Sequence, residues 1–207
     1  MSSIRNIIFD LGGVIITLDQ SQAIKRFHNI GIEDIENWLN PYTQKGIFGE
    51  LEVGKISAEE FRKELSKIAK RELTFNECKH CWLGYVKDLP KRNIKTLIKL
   101  RKEGFHIILL SNTNPYMMDW ALSNEFDGEG KSIDKYFDSI YLSYKCKMMK
   151  PDERIFKKIL DEEQIIANET LYIDDGSLNI EAASKLGFQT YSPANGEDWT
   201  VEIEKYL

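Results

Sequence analysis

The chain reads as an α/β protein, a doubly wound parallel sheet with an inserted α-helical cap, and three features of the sequence lead there. Four short apolar runs each end in polar residues, helical patterns separate the later runs, and one long stretch shows helical periodicity alone. Strands alternating with helices are the pattern of a parallel sheet covered on both faces.

The first run, Ile4 to Asp10, is apolar and β-branched up to an abrupt Leu11-Gly12-Gly13, a buried strand that ends in a loop. From about residue 20 to residue 89 no convincing strand follows, and the stretch reads as four helical segments joined by turns. Ser57-Ala58-Glu59-Glu60 has the spacing of a capping box, after which Phe61, Leu65 and Ile68 form an apolar stripe. Cys78 and Cys81 lie in another of these helices. They form a C-x-x-C, but no second pair completes the four ligands of a structural zinc, so both are expected in the core.

Beyond the insert the alternation resumes. A helix from Lys91 to Lys102 precedes a strand from Phe105 to Ser111 that ends at Asn112. Tyr116 to Asn124 is helical, and Asp127-Gly128-Glu129-Gly130 is a loop without the ligands of a calcium site. A strand at Ser139 to Ser143, a helix at Asp152 to Glu162, a strand at Thr170 to Asp174 and a helix at Ser177 to Leu186 complete the series, with Gly187 as the stop. The expected division is a core of residues 1–17 and 91–207 and a helical cap of residues 18–90.

With 207 residues, 42% hydrophobic and 29% charged, the composition is that of a soluble globular protein of one domain plus an insert. A net charge of −5 argues against a polyanion-binding surface, so no nucleic-acid partner is expected. No apolar run approaches the roughly 20 residues of a membrane helix, and the start shows no signal-peptide apolar region. Three cysteines form no disulfide framework, which suits a reducing compartment, and a cytoplasmic location is expected.

In parallel α/β sheets ligands bind outside the carboxyl ends of the strands. The polar residues at those ends are Asp10, Ser111 with Asn112, and Asp174 with Asp175, and Lys150 stands before Pro151 at a helix start. Any one of these alone would be an ordinary cap or turn residue. Together they converge on one crevice.

These residues carry a resemblance. The runs Ile7-Ile8-Phe9-Asp10-Leu11-Gly12-Gly13-Val14-Ile15, Leu109-Leu110-Ser111-Asn112, Lys150-Pro151-Asp152 and Tyr172-Ile173-Asp174-Asp175-Gly176, with Asn179 behind the last, resemble the four motifs of the haloacid dehalogenase-like hydrolases, in order. The resemblance implies a phosphatase with Asp10 as nucleophile, passing through an aspartyl-phosphate, and a helical cap that encloses a small phosphorylated substrate. It implies Mg²⁺ held by Asp10, Asp174, Asp175 and the carbonyl of Gly12, since an anion attacking an anion needs a cation with hard oxygen ligands. Ser111 and Lys150 would bind and stabilise the transferring phosphoryl group, with loop amides near Leu11 and Asn112 as further donors. Among substrates a sugar phosphate is favoured by the style of the motifs.

Gly12 departs from the pattern. The family's phosphatases place there a second aspartate, which protonates the leaving oxygen and then activates water, a contribution of about 10²–10⁴ in rate. A slow phosphatase, one with a substitute acid or a good leaving group, and a fold kept for binding a metabolite or partner all remain open. Asp19 is near enough in sequence to substitute, but before a helix it reads as an N-cap. His28, His80 and His106 read as core or surface residues. Dehalogenation would tolerate Gly12 but needs no acid pair, and phosphonate cleavage would need a Schiff-base lysine such as Lys45 or Lys55.

Overall fold

The computed structural model describes residues 3–39 and 44–207. In chain order the elements are β1 (Asn6–Phe9), β2 (Thr17–Leu18), α1 (Gln20–Asn29), α2 (Gly46–Glu52), α3 (Ala58–Ile68), α4 (Phe75–Trp82) and β3 (Val86–Asp88). There follow α5 (Lys91–Lys102), β4 (His106–Ser111), α6 (Pro115–Ala121), β5 (Ser139–Leu142), α7 (Ser143–Cys146), α8 (Glu153–Glu163), β6 (Thr170–Ile173), α9 (Ser177–Lys185), β7 (Gln189–Tyr191) and α10 (Trp199–Glu202). Five of the strands form a parallel sheet in the order β5-β4-β1-β6-β7.

Every residue of β1 is buried, and its side chains alternate between two cores. Ile8 joins Ile108, Leu110 and Tyr172 against Phe156 of α8 and Ala183 of α9. Ile7 and Phe9 join Ile107 and Leu109 against Leu97 of α5 and Trp199 of α10. Both faces are therefore covered, as a run of apolar residues without a polar side requires. From the central β1 the chain builds to β4 and β5 on one side and returns to β6 and β7 on the other. The crevice of such a sheet lies at that reversal, outside the end of β1.

Helices α1 to α4 pack around an aromatic cluster. Phe48 meets Phe61 at 5.0 Å and Phe27 at 5.2 Å, edge-on in both cases, and Trp82 closes the group. Each such pair adds about 0.5–1.5 kcal/mol beyond its burial. Tyr116 of α6 reaches into the cluster, 5.7 Å from Phe61, and its hydroxyl donates to the carbonyl of Ala58 at 2.6 Å. Lys79 and Asp119, 2.6 Å apart, join α4 to α6. Cys78 and Cys81 are fully buried here, and burial pushes their thiols up to about 11 and about 12, which suits packing rather than reactivity. Ser57 and Glu60 form the expected capping box, and Thr74 with Glu77 forms a second at the start of α4.

Three strands depart from the expectation. β2 and β3 pair as a small antiparallel sheet, so the stretch between residues 20 and 89 does contain a strand, and β7 extends the main sheet at its edge. Two or three residues are too few to show a period of two, and Gln189-Thr190-Tyr191 is only half-buried. Asp127 receives the amides of Glu129 and Lys131, so its acidic stretch is a turn that holds itself. Among the described residues no helix is long and apolar enough to cross a membrane.

Candidate active site

The backbone N–H of Asp10, the residue that ends β1, donates to the carbonyl of Ile173 on β6 at 2.9 Å. The chain then turns back at once, with the amides of Ile15 and Ile16 both reaching the Leu11 carbonyl. Gly13 makes this turn at φ +77, and a Cβ there would stand 2.2 Å from Asp175 Oδ2. Only glycine satisfies both the backbone and the close approach of that carboxylate.

Lys150 is brought in by a clamp. Asn112, just past β4, donates from Nδ2 to the Lys150 carbonyl and accepts the Lys150 amide at Oδ1, both at 2.9 Å. The Asn112 side chain is thus spent on positioning Lys150. Lys150 Nζ stands 2.9 Å from Asp10 Oδ1 and 2.6 Å from Asp174 Oδ2, and donates to the carbonyl of Leu110. Its side chain is 1% exposed. Asp174 also accepts from the Gly176 amide at 2.7 Å, from Asn179 Nδ2 at 3.0 Å and from the Tyr172 hydroxyl.

Oxygens of Asp10, Asp174 and Asp175 lie within 4.8 Å of one another. Burial pushes the Asp10 carboxyl well above the usual range, opposed by the Lys150 charge and aided by Asp174. Burial also raises Asp174, but the Lys150 charge and hydrogen bond win and hold it low. Burial, then the charge of Asp174, lifts Asp175 to about 6. One buried lysine faces three acids, and the cluster keeps an excess of negative charge.

Asp10, Gly12, Ser111, Asn112, Lys150 and Asp175 line a single cavity of about 110 Å³, and Asp174 lies buried beneath it. The residues picked from strand ends are therefore neighbours in space. The other candidates fall away from the cavity. Asp19 caps α1 by accepting the Ser21 amide, His28 pairs with Glu36, and His106 pairs with Glu163. Lys45 and Lys55 are exposed.

Residues 4–187 match the family of haloacid dehalogenase-like hydrolases. The chain belongs to that family. It is 46% identical over 204 residues, 99% of this chain and 98% of the relative, to the D-ribitol-5-phosphate phosphatase of Bacteroides thetaiotaomicron. The (S)-2-haloacid dehalogenase 4A of Burkholderia cepacia is 30% identical, but over 46% of this chain and 39% of that protein. Among solved structures, a protein of Porphyromonas gingivalis predicted to be a haloacid dehalogenase-like hydrolase superposes with a TM-score of 0.94 at 42% identity, covering 99% and 98% of the two chains. A family enzyme of Bacteroides thetaiotaomicron, crystallised with magnesium and inorganic phosphate, superposes at 0.89 with 36% identity over 97% and 99%.

In this haloacid dehalogenase-like chain a side chain at position 12 would crowd the tip of Leu18. A Cβ on Gly12 would stand 2.9 Å from Cδ1 of Leu18, a methyl group that lines the cavity. Across from it the cavity is roofed by residues that strand ends do not reveal: Glu52 of α2, Trp82 of α4, Tyr85 just after it, and Asn114 at the start of α6. Trp82 Nε1 is buried without a hydrogen-bond partner among the described residues, while the Asn114 amide stands beside the Glu52 carboxyl and the Tyr85 hydroxyl beside the side chains of Gln20 and Gln44. One trace of this was legible: Phe48, Leu51 and Glu52 share a face of α2 at i, i+3 and i+4, an acid on an apolar stripe.

Proposed function

We propose that this protein is a Mg²⁺-dependent phosphatase of a phosphorylated sugar alcohol, working through an aspartyl-phosphate on Asp10. The observation that carries the chemistry is Lys150 Nζ, buried between Asp10 and Asp174 at the floor of the cavity. Asp10 is thereby held with one oxygen fixed, ready for in-line attack on phosphorus. Lys150 offsets charge on the equatorial phosphoryl oxygens, and the hydroxyl of buried Ser111 donates to one of them. Asn112 keeps Lys150 in place.

The donor set fits a magnesium ion: three clustered carboxylates offer hard oxygen ligands and more negative charge than Lys150 offsets. Asp10, Asp174, Asp175 and the Gly12 carbonyl would hold it, and when bound it supplies the charge that lets an anionic nucleophile meet an anionic phosphate. Support for the substrate comes from the D-ribitol-5-phosphate phosphatase, 46% identical over 99% of this chain. A roof of buried polar atoms suits the hydroxyls of a polyol. Residues 18–90 act as the cap over a core of residues 1–17 and 91–207, and the enzyme works in the cytoplasm. Carbon–halogen cleavage is disfavoured, because an uncharged leaving site gives the Asp174–Asp175 pair nothing to do.

The test is phosphate release from ribitol 5-phosphate and a panel of sugar phosphates, with Mg²⁺ and with chelator. Release is expected with Mg²⁺ alone, ribitol 5-phosphate is expected to have the highest kcat/KM, and Asp10→Asn should lower kcat by on the order of 10⁴–10⁶. Mg²⁺-dependent turnover that survives Asp10→Asn would overturn the assignment of the nucleophile.

A further inference from the structure

We propose that Glu52, on the roof of the cavity, is the general acid and base of this phosphatase, doing from the cap what Gly12 cannot do from the loop. This rests on the function proposed above. Position 12 has no carboxyl, and the Cβ of one would come within 2.9 Å of the Leu18 methyl. Glu52 lines the same cavity as Asp10, Ser111 and Lys150. Its backbone is anchored beside the reacting residues, because Ser143 Oγ donates to the Glu52 carbonyl at 2.6 Å while accepting the Thr113 amide at 2.9 Å. Thr113 follows Ser111 and Asn112 directly, so α2 is tied to the loop at the end of β4.

The residue is 7% exposed, and among the described residues no lysine, arginine or histidine neutralises it. A buried carboxyl without a cationic partner keeps its proton. Burial pushes Glu52 up to about 8, with the Asn114 amide beside it opposing to a smaller degree. Of the titratable groups around it, Tyr85 is close enough to interact, and Asp10, Lys150 and Asp175 lie across the cavity. At neutral pH the group is a carboxylic acid, as protonation of a departing alkoxide requires.

The step balances without a further reactant. An Asp10 oxygen bonds to phosphorus as the ester P–O bond breaks, and the departing oxygen keeps the bonding pair and takes the Glu52 proton, leaving a carboxylate. A water oxygen then bonds to phosphorus while Glu52 takes back one of its protons. The Asp10–phosphorus bond breaks with its electron pair on Asp10, which releases inorganic phosphate and restores both groups. Trp82 Nε1, a buried donor on the same roof with no partner among the described residues, is placed to hold a hydroxyl of the alcohol meanwhile.

The experiment measures single-turnover P–O cleavage of ribitol 5-phosphate and of 4-nitrophenyl phosphate by the Mg²⁺-loaded wild type and Glu52→Gln. Glutamine keeps the volume and hydrogen-bonding shape but cannot give up a proton. Cleavage of the alkyl ester should fall by about 10²-fold or more, and that of the aryl ester, whose leaving group needs little protonation, by less than about tenfold. The wild-type rate on ribitol 5-phosphate should decline on an alkaline limb near pH 8, read without any variant. Equal losses on both esters, a raised KM with unchanged kcat, or no such limb would overturn the assignment and leave Glu52 a hydroxyl-binding residue. A wild type inactive on both esters would instead bring down the phosphatase reading itself, and this proposal with it.

Discussion

The floor and the roof of the cavity are both buried and both polar, yet they are finished to different degrees. On the floor each charged group answers another: Lys150 sits between Asp10 and Asp174, and Asp174 collects further donors from Gly176, Asn179 and Tyr172. On the roof, among the described residues, Trp82 Nε1 has no partner, and Glu52 has the Asn114 amide beside it but no counter-charge. An unpaired buried polar group costs about 1–3 kcal/mol. The floor is thus built in advance for chemistry, while the roof is completed by what it encloses.

Breaking the floor should have the largest effect. Lys150→Met removes the buried cation of the floor and leaves Asp10 and Asp174 facing each other, so urea unfolding of the metal-free protein at pH 7.5 should show a loss of about 3–5 kcal/mol. An unchanged midpoint would mean that the ion trio does not hold the floor together.

The roof should reveal itself through pH. Glu52 moves from an ordinary 4.5 to about 8 on folding, and Asp175 from 3.8 to about 6. A raised carboxyl binds its proton more tightly in the folded state, so its stabilisation is present at low pH and is lost as pH rises through the folded value. Between pH 6 and pH 8 Glu52 contributes to this loss at up to about 1.4 kcal/mol per pH unit, alongside Asp10, whose carboxyl is also raised by burial. Across that window metal-free Glu52→Gln should lose about 2 kcal/mol less than metal-free wild type, as chemical unfolding at the two pH values would show. Parallel slopes in both proteins would place the titrating group elsewhere.

The smallest effect sharpens the comparison. Gly12→Asp gives the floor the carboxyl it lacks, at the expense of moving the tip of Leu18, which a flexible side chain can do. With Glu52 in place, wild-type turnover of ribitol 5-phosphate should rise by less than about tenfold. In the Glu52→Gln background the same substitution should restore up to about 10²-fold, the lower part of the range for acid–base catalysis. A large gain in the wild type would show that the roof was supplying no acid.

How legible each region was follows from how it is assembled. Asp10, Ser111, Asp174 and Asp175 could be picked out because each ends an apolar run, and a parallel sheet gathers its strand ends on one edge whatever lies between. The apolar runs also carried the two-sided core, since Ile8 and its neighbours Ile7 and Phe9 must face opposite ways. β2, β3 and β7 were not legible, being too short to show a period. Nor was the Asn112–Lys150 clamp, which spans 38 residues and depends on two loops meeting. The roof is the extreme case. Its four residues come from α2, α4, the turn after α4 and the start of α6, and apart from Glu52 on the apolar face of α2 each looks, in its own segment, like an ordinary helical or turn residue. The sequence by itself determined the sheet, its edge and the acids along it, because local pattern dictates where a strand begins and ends. Only the tertiary structure decided that Glu52 would be buried with no cation beside it among the described residues, because burial depends on which distant elements pack over a residue, and that packing sets whether its carboxyl keeps a proton.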